Sequence, residues 1–304
     1  MESLYPLIVD VVRGSLEDGP GIRSVVFFKG CPLNCIFCHN PETQEPQAEM
    51  AFYSGRCIQC GSCAEACPES AIDFNLPGRI SREKCVRCGD CAIVCPGGGL
   101  RRIGRYYPVS ELKEVLMKDS SFYRHSGGGV TLSGGECTMY PSYVESLLFL
   151  LKAEGIHVTL ETGGHFEYSV FKRKILPHID LIYYDIKFAD REMHIKYTGR
   201  SNRRILDNFR RLISEADLEV HPRLPLVPGI TATRENFSTV VDFLCQAGAD
   251  SVSLLPYNPL GLDMAASIGK PVPDLPKGFM KPDEERKSYA VFENILEKKR
   301  DDRR

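Results

Sequence analysis

Three features that would commit a chain to a partner or a compartment are missing here. Charge of neither sign is in excess: 38 Lys and Arg face 40 Asp and Glu, a formal net charge of −2. Composition therefore gives no ground for a nucleic-acid or anionic-membrane partner. No apolar run approaches the ~20 residues that a bilayer span requires. The opening residues, Met1-Glu2-Ser3-Leu4-Tyr5-Pro6-Leu7, have neither the basic region nor the long apolar core of a secretory signal. Together these absences predict a cytoplasmic protein with no nucleic-acid or membrane partner. The 7 histidines show no metal-ligand spacing, and none is assigned a catalytic role.

Cysteine, by contrast, is abundant and unevenly placed. Of 13 cysteines, 11 lie between Cys31 and Cys95, and only Cys137 and Cys245 fall outside. Separations of two and three residues suit thiolates converging on a metal cluster better than disulfide loops. At 304 residues the chain is long enough for one large domain and a small one. Residues from about 51 to 100 differ in composition, with cysteine, proline and small residues, and read as a compact insert held by clusters instead of a core.

The remainder alternates strand and helix. Apolar runs at Leu7–Asp10 and Ser24–Phe28 suit buried strands. Further strands are predicted at Gly129–Ser133, His157–Glu161, Leu181–Asp185, Glu219–Val227 and Ser251–Pro256. Helices are predicted near 109–118, 141–154, 168–176, 202–216, 233–247 and 283–299, with Ser110 and Thr233 as N-caps and a solvated, frayed tail from Lys298 to Arg304. About six βα units imply a parallel sheet with helices outside, curled or closed into a barrel. The fold class is thus α/β, a partial (β/α)6 TIM-like barrel over residues 1–50 and 101–304. In such barrels function sits at the carboxyl ends of the strands.

Cys31-Pro32-Leu33-Asn34-Cys35-Ile36-Phe37-Cys38 follows one such strand directly. Three thiolates this close can hold three irons of a [4Fe–4S] cube and leave the fourth iron open, as catalytic metal sites do. On spacing alone, a zinc site or a cluster with Cys137 or Cys245 as fourth ligand remains an alternative. With Asp18-Gly19-Pro20-Gly21-Ile22-Arg23 upstream and Cys38-His39-Asn40-Pro41-Glu42 at its end, the motif resembles the radical SAM (S-adenosylmethionine) superfamily. Specifically, it resembles the activating enzymes of glycyl-radical enzymes, over about residues 7 to 261. The resemblance implies that SAM chelates the open iron and is cleaved by one electron to a 5′-deoxyadenosyl radical. That radical takes a hydrogen from a backbone glycine of a partner glycyl-radical enzyme. An external one-electron donor, such as flavodoxin or ferredoxin, is implied with it. Asp18 then belongs to a mobile loop that senses the partner.

Cys57-x2-Cys60-x2-Cys63-x3-Cys67-Pro68 and Cys85-x2-Cys88-x2-Cys91-x3-Cys95-Pro96 are two copies of the bacterial ferredoxin pattern, whose fourth cysteine serves the other cluster. The expected sets are Cys57, Cys60, Cys63 and Cys95 on one cube, and Cys85, Cys88, Cys91 and Cys67 on the second. The expected cofactors are SAM and three [4Fe–4S] clusters, the two ferredoxin-type ones either relaying electrons, the natural hypothesis, or only bracing the insert.

By the same resemblance, other residues at strand ends form the SAM pocket. Gly134-Gly135-Glu136 matches the segment at the methionyl amino group, with Cys137 where the family usually has proline. Glu161-Thr162 matches an acidic-Thr pair near the carboxylate, and Asp185-Ile186-Lys187 an Asp-x-Lys motif, with Lys187 among the catalytic residues. Arg223 would clamp the carboxylate, Phe37, the aromatic residue before the last motif cysteine, would contact the cofactor, and the Leu254–Asn258 segment would lie toward adenine, with Asn258 where some relatives carry His. The Pro- and Gly-rich stretch from Gly261 to Glu285 is a candidate partner surface. Other readings are a polyferredoxin-type electron carrier, which leaves the three-cysteine motif unexplained, and a different radical SAM maturase.

Overall fold

The structure is a computed structural model that describes residues 5–249 and 251–301. Its main sheet is built from β1 (Leu7–Ser15), β2 (Arg23–Phe28), β5 (Arg105–Tyr106), β6 (Gly129–Gly134), β7 (His157–Thr162), β8 (Leu181–Asp185), β9 (Glu219–Leu226) and β10 (Ser253–Pro256). Between β2 and β5 the chain forms a separate ribbon of β3 (Glu49–Phe52) and β4 (Leu100–Ile103). The main sheet runs β10-β9-β8-β7-β6-β2-β1-β5. From β2 to β10 all neighbours are parallel, while β1 and β5 add an antiparallel edge. Six parallel strands in an order that does not close on itself make the expected α/β architecture an open, mainly parallel sheet.

Val130 and Leu132, Val158 and Leu160, Ile182, and Leu224 and Leu226 are buried along successive strands. Most of these positions are two apart, so they share one face of the sheet, and the buried Thr131, Ser133 and Thr159 alternate with them. The helices outside the insert are α3 (Val109–Met117), α4 (Ser120–Ser126), α5 (Pro141–Ala153), α6 (Tyr168–Lys174), α7 (Arg191–Thr198), α8 (Arg203–Glu215), α9 (Arg234–Ala247), α10 (Leu260–Ser267) and α11 (Pro282–Asp301), after the short α1 (Ser62–Glu65) and α2 (Asp90–Ile93). Helix α5 buries Val144, Leu147, Leu148 and Leu151, the i, i+3, i+4, i+7 stripe of a core-facing helix. Among the described residues, no helix is long and apolar enough to cross a membrane.

Several local expectations change. Helix α3 starts at Val109 after Pro108, so Ser110 lies in the first turn and not at the N-cap. Thr233 is the N-cap of α9, its hydroxyl accepting from the Asn236 amide at 3.2 Å. The tail does not fray at Lys298: α11 runs to Asp301, and Lys299 pairs with Asp242 at 2.6 Å. Residues 302–304 of that tail and Asp250 lie outside the described residues. The Gly261–Glu285 stretch begins inside α10 and packs back on the three-cysteine loop. Lys270 donates to the Pro41 carbonyl at 2.8 Å and to Gln44 Oε1 at 3.0 Å.

Candidate active site

Strand β2 delivers the chain to Gly30 and the three-cysteine loop, and other segments then grip that loop. Asn34 and Ile36 donate backbone N–H groups to the Thr198 and Tyr197 carbonyls at the end of α7 (2.8 and 3.0 Å). The Gln44 side-chain amide donates to the Cys35 carbonyl at 3.1 Å, and Lys270 holds the other end of that amide. Cys31, Cys35 and Cys38 are half-buried and free of disulfides. Burial pushes each thiol up to about 12. Lys187 lies within electrostatic reach of all three and opposes that rise. Among the described residues, no three His, Cys, Asp or Glu side chains meet at single-ion distance.

Behind the loop lie the residues from the strand ends. Glu136 is buried, its carboxylate accepting from the Thr138 and Thr162 hydroxyls and from the Gly163 amide at 3.0 Å. Burial holds Glu136 above the ordinary carboxylate range despite those donors. Asp185, at the end of β8, pairs with Lys187 at 3.3 Å and with Arg223 at 3.1 Å. Burial would raise Asp185, but Lys187 and Arg223 outweigh it and hold the carboxyl below its usual range. Arg223 also donates to Glu161 at 2.6 Å, and Glu161 accepts from the Ser133 hydroxyl. The guanidinium expected to clamp a ligand carboxylate is thus engaged by two carboxylates of its own chain.

Other expected residues sit on a second wall. Phe37, Cys38 and Asn258 line a cavity between the cysteine loop and α10, whose floor includes Tyr257 and Lys270. Asn258 Oδ1 accepts from the Leu260 amide at 3.0 Å, starting α10. Gly261 lets that helix touch the loop, since a Cβ there would stand 2.3 Å from the Cys38 carbonyl oxygen. Gly134 and Gly135 serve a similar end. Their added Cβ atoms would strike the Phe28 backbone at 2.3 Å and the Gly30 carbonyl at 2.2 Å, so what the glycines admit is the root of the cysteine loop. Cys137 is wholly buried beside Glu136.

Asp18 is half-buried and takes a hydrogen bond from Ser15. Its loop is tied down: Thr131 donates to the Asp18 carbonyl at 2.7 Å and Arg23 to the Pro20 carbonyl at 3.0 Å. Residues that sequence reasoning did not single out are Ser133, Thr138, Gly163, Gln44 and Lys270. Gln44 lies nine residues after Cys35, Ser133 and Thr138 flank Gly134-Gly135-Glu136, and Gly163 follows Thr162, so only Lys270 is remote from every motif.

The eight cysteines from Cys57 to Cys95 gather in two groups. Cys57, Cys60, Cys63 and Cys95 line one small cavity, and Cys67, Cys85, Cys88 and Cys91 line another. The two motifs share one backbone trace. Gln59 and Arg87, each before a second cysteine, have positive φ of 58° and 62°, and Gly61 and Gly89, each after it, have 87° and 98°. In both copies the fourth cysteine's sulfur accepts from the amide four residues on, Ala71 N–H to Cys67 and Gly99 N–H to Cys95, each at 3.2 Å.

Residues 25–244 match the sequence pattern of the radical SAM superfamily. The chain is 41% identical over 263 residues to a trans-4-hydroxy-L-proline dehydratase activating enzyme of Clostridioides difficile, covering 85% of this chain and 86% of that one. It is 39% identical over 275 residues to an isethionate sulfite-lyase activating enzyme of Desulfovibrio desulfuricans (88% of each) and 35% identical over 269 residues to the pyruvate formate-lyase 2-activating enzyme of Escherichia coli (86% and 81%). A radical SAM methyltransferase from Sphaerobacter thermophilus shares the fold at 13% identity, with a TM-score of 0.54 over 95% of this chain and 74% of that one. The chain belongs to the radical SAM superfamily and, within it, to the activating enzymes of glycyl-radical enzymes.

Proposed function

We propose that this chain activates a partner glycyl-radical enzyme through a SAM-bearing [4Fe–4S] cluster held by Cys31, Cys35 and Cys38, and that residues near 51–100 carry two further cubes. The observation that carries the reading is the half-buried thiol triad beside Lys187, with the Glu136, Asp185, Glu161 and Arg223 network at adjoining strand ends. The donor set fits the group: soft sulfur ligands select iron–sulfur clusters, and the loop itself supplies three thiols. When bound, the reduced cluster and SAM supply one-electron cleavage of the sulfonium and a 5′-deoxyadenosyl radical that takes hydrogen from a glycine.

The chain's own residues do the rest. Burial disfavours the thiolates until metal binding displaces their protons, and Lys187 partly offsets the charge. Gln44 and Lys270 fix the Cys35 backbone, so the loop's shape does not depend on the thiols alone. Gly134 and Gly135 bring the Glu136 segment against Gly30 at the root of the loop. There the buried carboxylate, already aligned by Thr138 and Thr162, is placed to receive an ammonium. Arg223 can leave one carboxylate for a ligand's while keeping the other, a swap within a single guanidinium fork. Phe37 and Asn258 line the wall proposed for the adenine side.

Two observations support the ferredoxin-type sets. The cysteines gather across the two motifs, with Cys95 among the first group and Cys67 among the second. Both copies share the alternation of left-handed residues, and each donates a backbone N–H to its fourth cysteine's sulfur, as sites for anionic clusters do. We assign both cubes to electron relay from an external one-electron carrier, in a cytoplasmic setting. Anaerobic reconstitution tests the whole reading: about twelve irons are expected for three cubes, with 5′-deoxyadenosine formed from SAM and lost in Cys35→Ala. About eight irons and no cleavage would replace it with an electron carrier.

A further inference from the structure

The chain is nearly neutral overall, yet one cleft beside the proposed site carries four arginines against two carboxylates, Glu167 and Asp207. It is lined by Arg200, Arg203, Arg204 and Arg211 on one side and by the His165–Tyr168 loop on the other. Both walls continue directly from the site. Arg200 donates to the Pro32 carbonyl within the cysteine loop at 3.1 Å. The His165 wall follows Gly163, whose amide holds Glu136.

The placement of these arginines runs against helix stability. Arg203 and Arg204 open α8, whose first turn contains no acidic residue and whose N-cap, Asn202, makes no side-chain cap bond. A helix amino terminus carries partial positive charge and favours anions, so two cations there cost stability instead of adding to it. Internal ion pairs do not neutralise them either. Arg203 reaches Asp207 only at 3.9 Å with its side chain 89% exposed, and Arg210 competes for the same carboxylate at 3.2 Å. Arg204 is exposed and has no ion pair among the described residues, while Arg211 lies over the Tyr168 ring at 3.6 Å and shares Glu215 with Lys172. Positive charge that weakens its own helix, with Arg203 89% exposed and only loosely paired and Arg204 without an ion pair among the described residues, is charge presented outward.

We infer that this arginine cleft docks an acidic segment of the protein substrate, an inference that rests on the proposed activation of a partner protein. A protein that brings a backbone glycine to the cysteine loop must cover the rim that Arg200 shares with Pro32. A cleft several side chains long, walled by the rigid Phe166–Tyr168 segment and an arginine row, suits an extended run of Asp and Glu. Complementary charge there sets encounter rate and register.

The test uses the reconstituted full chain and a fluorescein-labelled octaglutamate peptide, read by anisotropy at low salt. Binding is expected, weakened about tenfold by raising salt through the range where the screening length falls below ~10 Å. A loss of at least about tenfold is expected in Arg203→Glu/Arg204→Glu, with no change in Lys118→Glu and none when octaglutamine is added as competitor. The double reversal places acidic residues where the helix dipole favours them, so α8 is expected to persist. No binding by octaglutamate, equal binding by the double variant, or displacement by millimolar inorganic phosphate (a small-anion site) would each overturn the inference. SAM cleavage without partner, measured in the same samples, reports separately: its absence in the unsubstituted chain sinks the proposed function and leaves the peptide result standing.

Discussion

Gly261 shows how a single missing methyl group shapes the site. Helix α10 touches the cysteine loop only because no Cβ stands between it and the Cys38 carbonyl, and backbone cannot yield as a flexible side chain can. Gly261→Ala is expected to cost about 1–3 kcal/mol in denaturant unfolding and to lower iron retention. Gly55→Ala, in open space, is expected to do neither. His194 is a second instance. It is 1% exposed, its Nδ1 is 2.7 Å from the Arg200 carbonyl, and burial pushes its pKa down to about 4. The unfolded chain takes that proton first, near pH 6.5, so the stability His194 contributes is complete above pH 6.5 and lost as pH falls toward 4. The expected slope is about 1.4 kcal/mol per pH unit at most. Unfolding measured from pH 7 to 4.5 checks it, and His194→Gln is expected to flatten that part of the profile.

At the scale of elements, one buried ion pair joins the main sheet to the ribbon beside it. Lys29, at the end of β2, is wholly buried and donates to Glu49 at 2.5 Å, at the start of β3, and to the Glu42 carbonyl. Removing one partner strands a buried charge. Lys29→Met is therefore expected to destabilise by about 3–5 kcal/mol, and Lys29→Met/Glu49→Met by much less. A double-mutant cycle in urea checks this; additive losses would show the two groups to be independent. The elements differ in how readable they are. The parallel strands were legible because short β-rich runs sit between helical stretches, although Thr131 and Ser133 are buried within Gly129–Gly134 alongside Val130 and Leu132. Helix α7 was not, because Arg191-Glu192-Met193-His194-Ile195-Lys196 is too polar to show a stripe, and its job is to offer carbonyls to the cysteine loop. The antiparallel β1 extends to Ser15 beyond the expected Asp10, since edge pairing with Val25 and Ser24 holds residues that no apolar run marks. The charged residues of the site were legible as strand-end residues, but their partners were not. Only the parallel register, with Asp185 opposite Arg223 and Glu161 opposite Tyr183, makes one guanidinium serve two carboxylates.

Across the whole molecule, the cysteine-rich segment is closed at its base by the β3–β4 ladder and has an apolar cluster of its own. Met50, Phe52, Ile80, Cys91 and Leu100 pack there, apart from the main core. Its remaining ties are few: Tyr53 reaches the Met264 sulfur at 3.8 Å, and Arg82 donates to the Met50 and Ser267 carbonyls. Phe52 and Leu100 are register partners across the antiparallel ladder, close enough for a two-residue Asn-Gly turn to replace everything between them. Such an excision is expected to leave a folded chain whose iron falls from about twelve to about four per molecule. With a strong chemical reductant, 5′-deoxyadenosine formation is expected to survive, because none of the strand-end residues around Lys187 lies in the removed segment. With a protein electron carrier it is expected to slow sharply, if the eight cysteines serve as the entry route. Equal rates with both reductants would assign the segment a bracing role instead, and loss of cleavage with the chemical reductant would mean that the cysteine loop needs the segment to hold its shape.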